Sequence, residues 1–239
     1  MILLLLLLVQ IQKPLPDLDR FLQATKTELV GQIDQHEVLE GYTYHRKTIY
    51  ERLSADGKIK NSEVTQDEIV RGVPLKHKHR DPIFVSRSKS DNAAMIEDMF
   101  GVWDFLILRR ENIDGRPAIA IAFAPKKRAR PQTDAGRWLF KNAKGVVWVD
   151  EADHRIVRVH AVLVNDISVA WGMLARAHKG SEMFREWKKV NDEVWLPSWS
   201  RVHLLARAFI VGFNFEEVEE YSDYRKAYAV TNPCYDSPR

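Results

Sequence analysis

The sequence predicts a mainly β protein with some helix: a single curved antiparallel half-barrel of about ten strands, its concave side plugged by an N-terminal helix and a short second helix. Three observations carry this. From Tyr42 onward, apolar residues recur mostly at every second position, the period of a half-buried strand. Turn pairs such as Asp56-Gly57 and Asp114-Gly115 interrupt them at short intervals, as hairpins require. Only one long segment, following Pro14 and Pro16, has a helical period. Consecutive strands joined by short turns favour an up-and-down order, and that many twisted strands curl rather than lie flat.

The elements follow in order. Residues 1–12 are expected to be a secretory leader. Ile2 and the six leucines after it form the apolar core of a signal, well short of the about 20 residues that cross a bilayer. No Lys or Arg precedes the run, which a start codon placed too late would explain, and no clear small-residue cleavage site follows it. A buried N-terminal strand fits less well, because consecutive leucines have poor β-propensity and offer no polar face. Asp17 can then cap a helix from about Asp17 to Val38, with Phe21, Leu22, Leu29 and Ile33 on one face. Tyr42 to Val70 reads as a hairpin around Asp56-Gly57, and Ser90 to Phe100 as the second helix. Trp103 to Ala124 is the clearest hairpin, turning at Asp114-Gly115. The polar, basic stretch from Pro125 to Gly145 is expected to interrupt the sheet. A hairpin over Gly145 to Val164 follows, then the all-round apolar segment Ile167 to Ala177. Three or four strands over Met183 to Arg225 come last, with turns near Asn191-Asp192 and around Gly212. One β domain is thus expected over 13–230, ahead of a C-terminal tail over 231–239.

Composition narrows the function classes. Hydrophobic residues at 45% and charged residues at 29% suit a folded domain. A net charge of +3 among 36 basic and 33 acidic residues gives no reason to expect nucleic acid. The single cysteine, Cys234, allows no internal disulfide and lies far from any leader, so no lipid anchor is expected.

Three stretches carry a resemblance: Gly115-Arg116-Pro117 leading into a strand that ends Phe123-Ala124-Pro125; Gly145-Val146-Val147-Trp148-Val149-Asp150 followed by Asp153 and Arg155-Ile156-Val157-Arg158; and Tyr221-Ser222-Asp223-Tyr224. In this order and spacing the chain resembles the LolA-type periplasmic lipoprotein carriers. The resemblance implies an unclosed barrel covered by helices, an apolar hollow for acyl chains, a periplasmic location and no chemical step. It transfers no individual ligand-contacting residue, and relatives of that fold also serve as sensors.

Candidate sites follow from residue types. Phe21, Leu22, Trp103, Phe105, Ile107, Val157, Val159 and Leu163 are apolar side chains able to line the hollow. Trp171, Met173 and Leu174, around the pivot Gly172, form a candidate flap; the alternative is a loop packed on its own sheet. In the strand after Gly115, Ile119, Ile121 and Phe123 gain more from burial than Ala118, Ala120 and Ala122, which leaves the alanines to the surface. Lys126, Lys127, Arg128, Arg130 and Arg137, with Lys141, Lys144, Trp138 and Phe140, suit an anionic membrane or an acidic partner protein, unless they form only a solvated loop. His77, His79 and Asp81 are weak metal candidates in a basic segment. No cofactor, metal or catalytic motif is expected. The partners expected are lipid or lipoprotein acyl chains, bound by a monomer.

Overall fold

The computed structural model describes residues 13–31, 41–70, 73–74, 89–169 and 175–227. Helix α1 spans Leu18–Gly31, α2 Lys89–Val102 and the short α3 Asp134–Trp138, followed by a single 3-10 turn at Phe140–Asn142. The strands are β1 (Tyr42–Leu53), β2 (Ile59–Val70), β3 (Val73–Pro74), β4 (Trp103–Ile113), β5 (Arg116–Pro125), β6 (Ala143–Asp150), β7 (Ile156–Leu163), β8 (Ile167–Val169), β9 (Ala175–Ala177), β10 (Glu182–Val190), β11 (Val194–Ala208) and β12 (Val211–Lys226). They form one open, curved antiparallel sheet in the order β3-β2-β1-β12-β11-β10-β7-β6-β5-β4, with β9 bridging β8 to the end of β11.

This order departs from the expected meander at two places. β1 pairs with β12, from Tyr42 opposite Lys226 to Arg52 opposite Phe215, and β10 pairs with β7 across the β8–β9 hairpin. The first hairpin of the chain is therefore spliced onto its last strand. Both are long-range pairings that no turn in the sequence announces.

Local chemistry explains the elements. Asp17 Oδ1 accepts from the Arg20 amide at 3.0 Å, the cap of α1. The expected continuation of this helix to Val38 falls outside the described residues. Phe21 is buried and meets His154 edge-on at 5.0 Å, while Glu28 takes Arg155 at 2.9 Å, so α1 is tied to the β6–β7 turn. The β4–β5 hairpin turns on Asp114 (φ 50) and Gly115 (φ 82), the backbone that an Asp-Gly pair supplies cheaply. One face of β5, with Ile119, Ile121 and Phe123, joins Trp103, Phe140, Val147, Val149 and Phe21 in the main core, under α1 and α2.

The other face of β5 corrects the surface reading of the alanines. Ala118 and Ala120 are 1% and 0% exposed. Trp148 stands opposite Ala120, its indole donates to Glu111 Oε2 at 3.0 Å, and Ala118 packs with Ile113 and Val157. Small side chains here make room for an indole on the outer face. Ala122 is half-buried, and the strand reaches the surface only at its end, with Ala124.

The basic stretch is folded rather than a bare interruption. Asp98 on α2 accepts from the amides of Gln132 and Thr133 and from the Thr133 hydroxyl, and Thr133 in turn caps α3. Gly136 is required there, since a Cβ would collide with Asp98 and Pro131. Gly145 is required for a similar reason, because β6 and β7 approach so closely that a Cβ would meet the His160 carbonyl.

Candidate ligand cavity in the hollow of the sheet

Strand alternation decides which side chains face the hollow. Val147 pairs with Val159, Ala161 with Met183, and Met183 with Val202, so these share the inner face from β6 across to β11. Between them and the helices lies a cavity of about 510 Å³, within the ~300–1,000 Å³ range of small-molecule sites. Its wall is apolar almost throughout: Met99 of α2, Phe140, Val159, Met183, Trp187 and Leu204 are representative. Polar groups are few. Ser181 is saturated, donating to His178 and Leu205 carbonyls and accepting from the Leu205 amide. Arg155 is engaged by Glu28, leaving Glu182 and His203 as the remaining polar side chains of the wall. Leu139, 39% exposed, both lines the cavity and reaches the surface, so the α3 segment forms its rim.

The candidate residues separate in this geometry. Trp103, Val159 and Leu163 line the cavity. Phe21, Leu22, Phe105 and Ile107 belong to the packed core beside it. Val157 lies with Ala118 and Trp148 on the outer face: β7 bulges between the residues opposite Trp148 and Val149, which throws Val157 out of the inward phase and brings Ile156 in. Trp171, Met173 and Leu174 lie outside the described residues, as do His77, His79, Asp81 and Cys234. Sequence reasoning missed the β10–β11 wall: Met183, Trp187, Leu196, Val202 and Leu204. Val202 and Leu204 alternate cleanly, but a register shift between Glu186 and Trp187 breaks the period and hides the rest.

Beyond this wall the inner face changes character. Glu219 stands opposite Ser200 and Thr48, and Arg46 opposite Asp67 and Tyr221. Arg46, Asp67, Glu219, Thr48 and Ser200 are all buried. Arg46 reaches Asp67 at 3.5 Å and Glu219 at 3.9 Å, longer than good hydrogen bonds, and Asp67 Oδ1 and Arg46 Nε have no hydrogen-bond partner among the described residues. Burial, then the charge and hydrogen bond of Glu219, push the Tyr221 hydroxyl well above its ordinary range. Among the described residues no cluster of His, Cys, Asp or Glu is placed to hold a metal ion.

The two edges of the sheet also differ. One edge carries the cavity rim, the end of β5, the start of β6, the end of β7, the start of β10, and the β11–β12 and β1–β2 turns. Lys127, Arg128, Arg130, Lys141, Lys144, Lys179 and Arg207 are exposed along it, with no ion pair to a described residue, whereas its acids Asp56 and Asp166 are paired, with Lys58 and with Arg176 and His178. Of the remaining basic candidates, Lys126 donates to the Gly101 carbonyl and Arg137 pairs with Asp134. The opposite edge turns on Asp114, on Glu151 and Asp153, and on Asp192 and Glu193. There Arg116 and Lys189 bracket Asp153, and Arg110 holds Glu151 below the ordinary carboxylate range. No helix among the described residues is long and apolar enough to cross a membrane.

No protein-family profile and no curated protein matches the chain. Solved structures similar to it include a DUF1329 family protein from Desulfovibrio piger, with 13% identity over 87% of this chain and 94% of that one, at a TM-score of 0.34. A domain from Vibrio parahaemolyticus assigned to outer membrane lipoprotein sorting has 12% identity over 87% and 95%, at 0.36. A LolA superfamily protein from Nitrosomonas europaea has 12% identity over 86% and 93%, at 0.30. The neighbours thus include the family that the sequence resembles, and the functional reading rests on this chain's own geometry.

Proposed function

We propose that the chain is a periplasmic carrier that holds an acylated ligand, a lipoprotein's acyl chains or a free lipid, in the hollow of the sheet. The observation that carries this is the cavity of about 510 Å³ with its almost wholly apolar wall. Apolar lining without convergent polar groups selects by shape and apolar area, and offers nothing for bond chemistry. The basic residues beside the rim, Lys127, Arg128 and Arg130, suit the anionic surface from which such a ligand would be collected or to which it would be delivered. Export would depend on the leader over 1–12, and the intact mass of the exported protein tests that: retention of Met1 on a folded, exported chain refutes cleavage.

The binding test is a fluorescent fatty-acyl probe, with native mass spectrometry of gently purified protein. Wild type is expected to bind the probe and to carry a lipid-sized adduct. Val202→Trp, which fills the cavity from β11, is expected to weaken probe binding at least about tenfold, or about 1.4 kcal/mol. A wild type that binds no probe and carries no adduct would sink the carrier reading. The second reading is then an envelope sensor or adaptor domain with a self-filled core. It is favoured by the cluster of Phe21, Trp103, Phe123 and Phe140, which already fills the β4–β6 side of the hollow.

A further inference from the structure

The hairpin joining β11 to β12 turns on two residues, Phe209 and Ile210, between the paired Ala208 and Val211. Such turns are normally built from Asn, Asp or Gly, because the backbone must visit positive φ. Phe209 does so here, at φ 51, a conformation unfavourable for a bulky side chain. No burial among the described residues rewards it: Phe209 is 67% and Ile210 95% exposed, and Val211 and Phe213 behind them are also exposed. Neither turn chemistry nor burial accounts for Phe-Ile at this position.

We propose that this tip is a membrane anchor, which inserts Phe209 and Ile210 into the headgroup–acyl boundary of an anionic bilayer and sets the cavity mouth against the lipid. Three observations choose a bilayer over another occupant. Residues 202–215 contain no acidic side chain, and Arg207 stands directly opposite Arg176, which Asp166 holds at 3.7 Å. A like-charge pair across two strands is unfavourable in itself, but it sets positive charge immediately behind an apolar tip. The tip also lies on the same sheet edge as Lys127, Arg128, Arg130, Lys141, Lys144 and Lys179, and as the exposed Trp138 and Leu139 of the cavity rim. Apolar insertion combined with a basic patch is the pairing of signals that gives stable but reversible attachment to anionic membranes. The opposite edge, with its acidic turns, would face away.

The inference rests on the proposal that the basic edge meets an anionic surface, and it stands apart from whether the cavity is filled. The test uses the full chain and vesicles of either phosphatidylglycerol or phosphatidylcholine. Flotation with phosphatidylglycerol vesicles is expected, weakening as salt rises, and little with phosphatidylcholine. Only the first central residue has positive φ, so the double variant Phe209→Gly with Ile210→Asn installs the preferred turn, and its melting temperature should be unchanged or higher. Its partitioning onto phosphatidylglycerol should nevertheless fall about tenfold or more. In the single variant Ile210→Trp, tryptophan emission should shift to the blue on phosphatidylglycerol vesicles. The anchor is overturned if the double variant floats as wild type does, or if the emission of Ile210→Trp ignores the vesicles. It is equally overturned if wild type floats with neither lipid, or if the double variant only converts a wild-type dimer to monomer. Acyl-probe binding by the double variant should equal that of wild type, so failure of the cavity reading would appear in that assay alone.

Discussion

The two halves of the hollow are built on different physics. Across β4 to β7 the inner face carries Ile119, Ile121, Phe123, Val147 and Val149, sealed by α1 and α2. Across β2, β1, β12 and β11 the same face carries Asp67, Arg46, Thr48, Glu219 and Ser200, buried to a similar degree. The first half gains stability from every apolar group removed from water. The second half gains little, because desolvating three charges costs about what their mutual attraction returns, and their contacts of 3.5 and 3.9 Å are loose. Equal burial is therefore not equal stabilisation. Under the carrier proposal the division has a use: an apolar guest is confined to the region between the packed core and the charged wall, where Val159, Met183, Val202 and Leu204 line the cavity.

The largest expected effect tests the charged wall. Arg46→Met removes the cation between Asp67 and Glu219 and leaves only Arg185, opposite Ser200, on that side of the wall, and should cost about 3–5 kcal/mol in urea unfolding. Replacing all three together with the hydroxyl that donates to Glu219, as Arg46→Met with Asp67→Leu, Glu219→Met and Tyr221→Phe, should bring stability back to within about 1 kcal/mol of wild type or above it. If the single variant is as stable as wild type, the wall is wet and the contrast between the halves fails. Next comes the packed half, where Ile121→Ala should cost about 2–5 kcal/mol. Val202→Ala, which removes methyl groups from a wall that already borders open space, should cost well under half as much. Similar losses at both positions would mean that the cavity is an ordinary core.

Smaller again is the tie between α2 and the cavity rim. Burial alone would raise the Asp98 carboxyl, but the Gln132 and Thr133 amides and the Thr133 hydroxyl outweigh it and hold the group below its ordinary value of 3.8. A carboxyl depressed in the folded state contributes stability that is complete above the unfolded value and is lost as pH falls through the folded one. Asp98→Asn should therefore cost about 1–3 kcal/mol at neutral pH, and the gap from wild type should close as pH drops below 3.8. A gap that persists unchanged in acid would show that the charge is irrelevant to the tie. The smallest effect belongs to exposed pairs such as Lys47 with Glu220, 3.0 Å apart at the surface of the sheet. Lys47→Gln should change stability by less than about 1 kcal/mol in thermal melts.

Much of the fold was legible because its signals are local. Asp114-Gly115 names its own hairpin, Pro14 and Asp17 announce α1, and the alternation over Trp103 to Phe123 assigns the inner face of β5 correctly. Where the chain departs from turn chemistry, sequence reasoning did not name the residues. The last turn, expected around Gly212, is there, but its two central residues are Phe209 and Ile210, which no turn rule singles out. The alanines of β5 were expected at the surface because nothing in the strand itself shows that Trp148 will lie over them. The cavity was only partly legible. Trp103, Val159 and Leu163 line it, but the β7 bulge reverses the phase at Val157, and the β10 irregularity conceals Trp187.

The sequence by itself determined the class, an antiparallel sheet with one long helix, because period and turn residues act within a few positions of one another. It also determined the charged character of the stretch from Lys126 to Lys144. The tertiary structure alone decided that β1 would close against β12, roughly 170 residues away, since chain-closure entropy is repaid only by contacts that no local pattern encodes. That single pairing places Arg46 against Glu219 and turns two scattered charges into one wall of the hollow. The same curvature brings the basic stretch, the cavity rim and the Phe209–Ile210 tip to one edge, because antiparallel strands return each alternate turn to the same end.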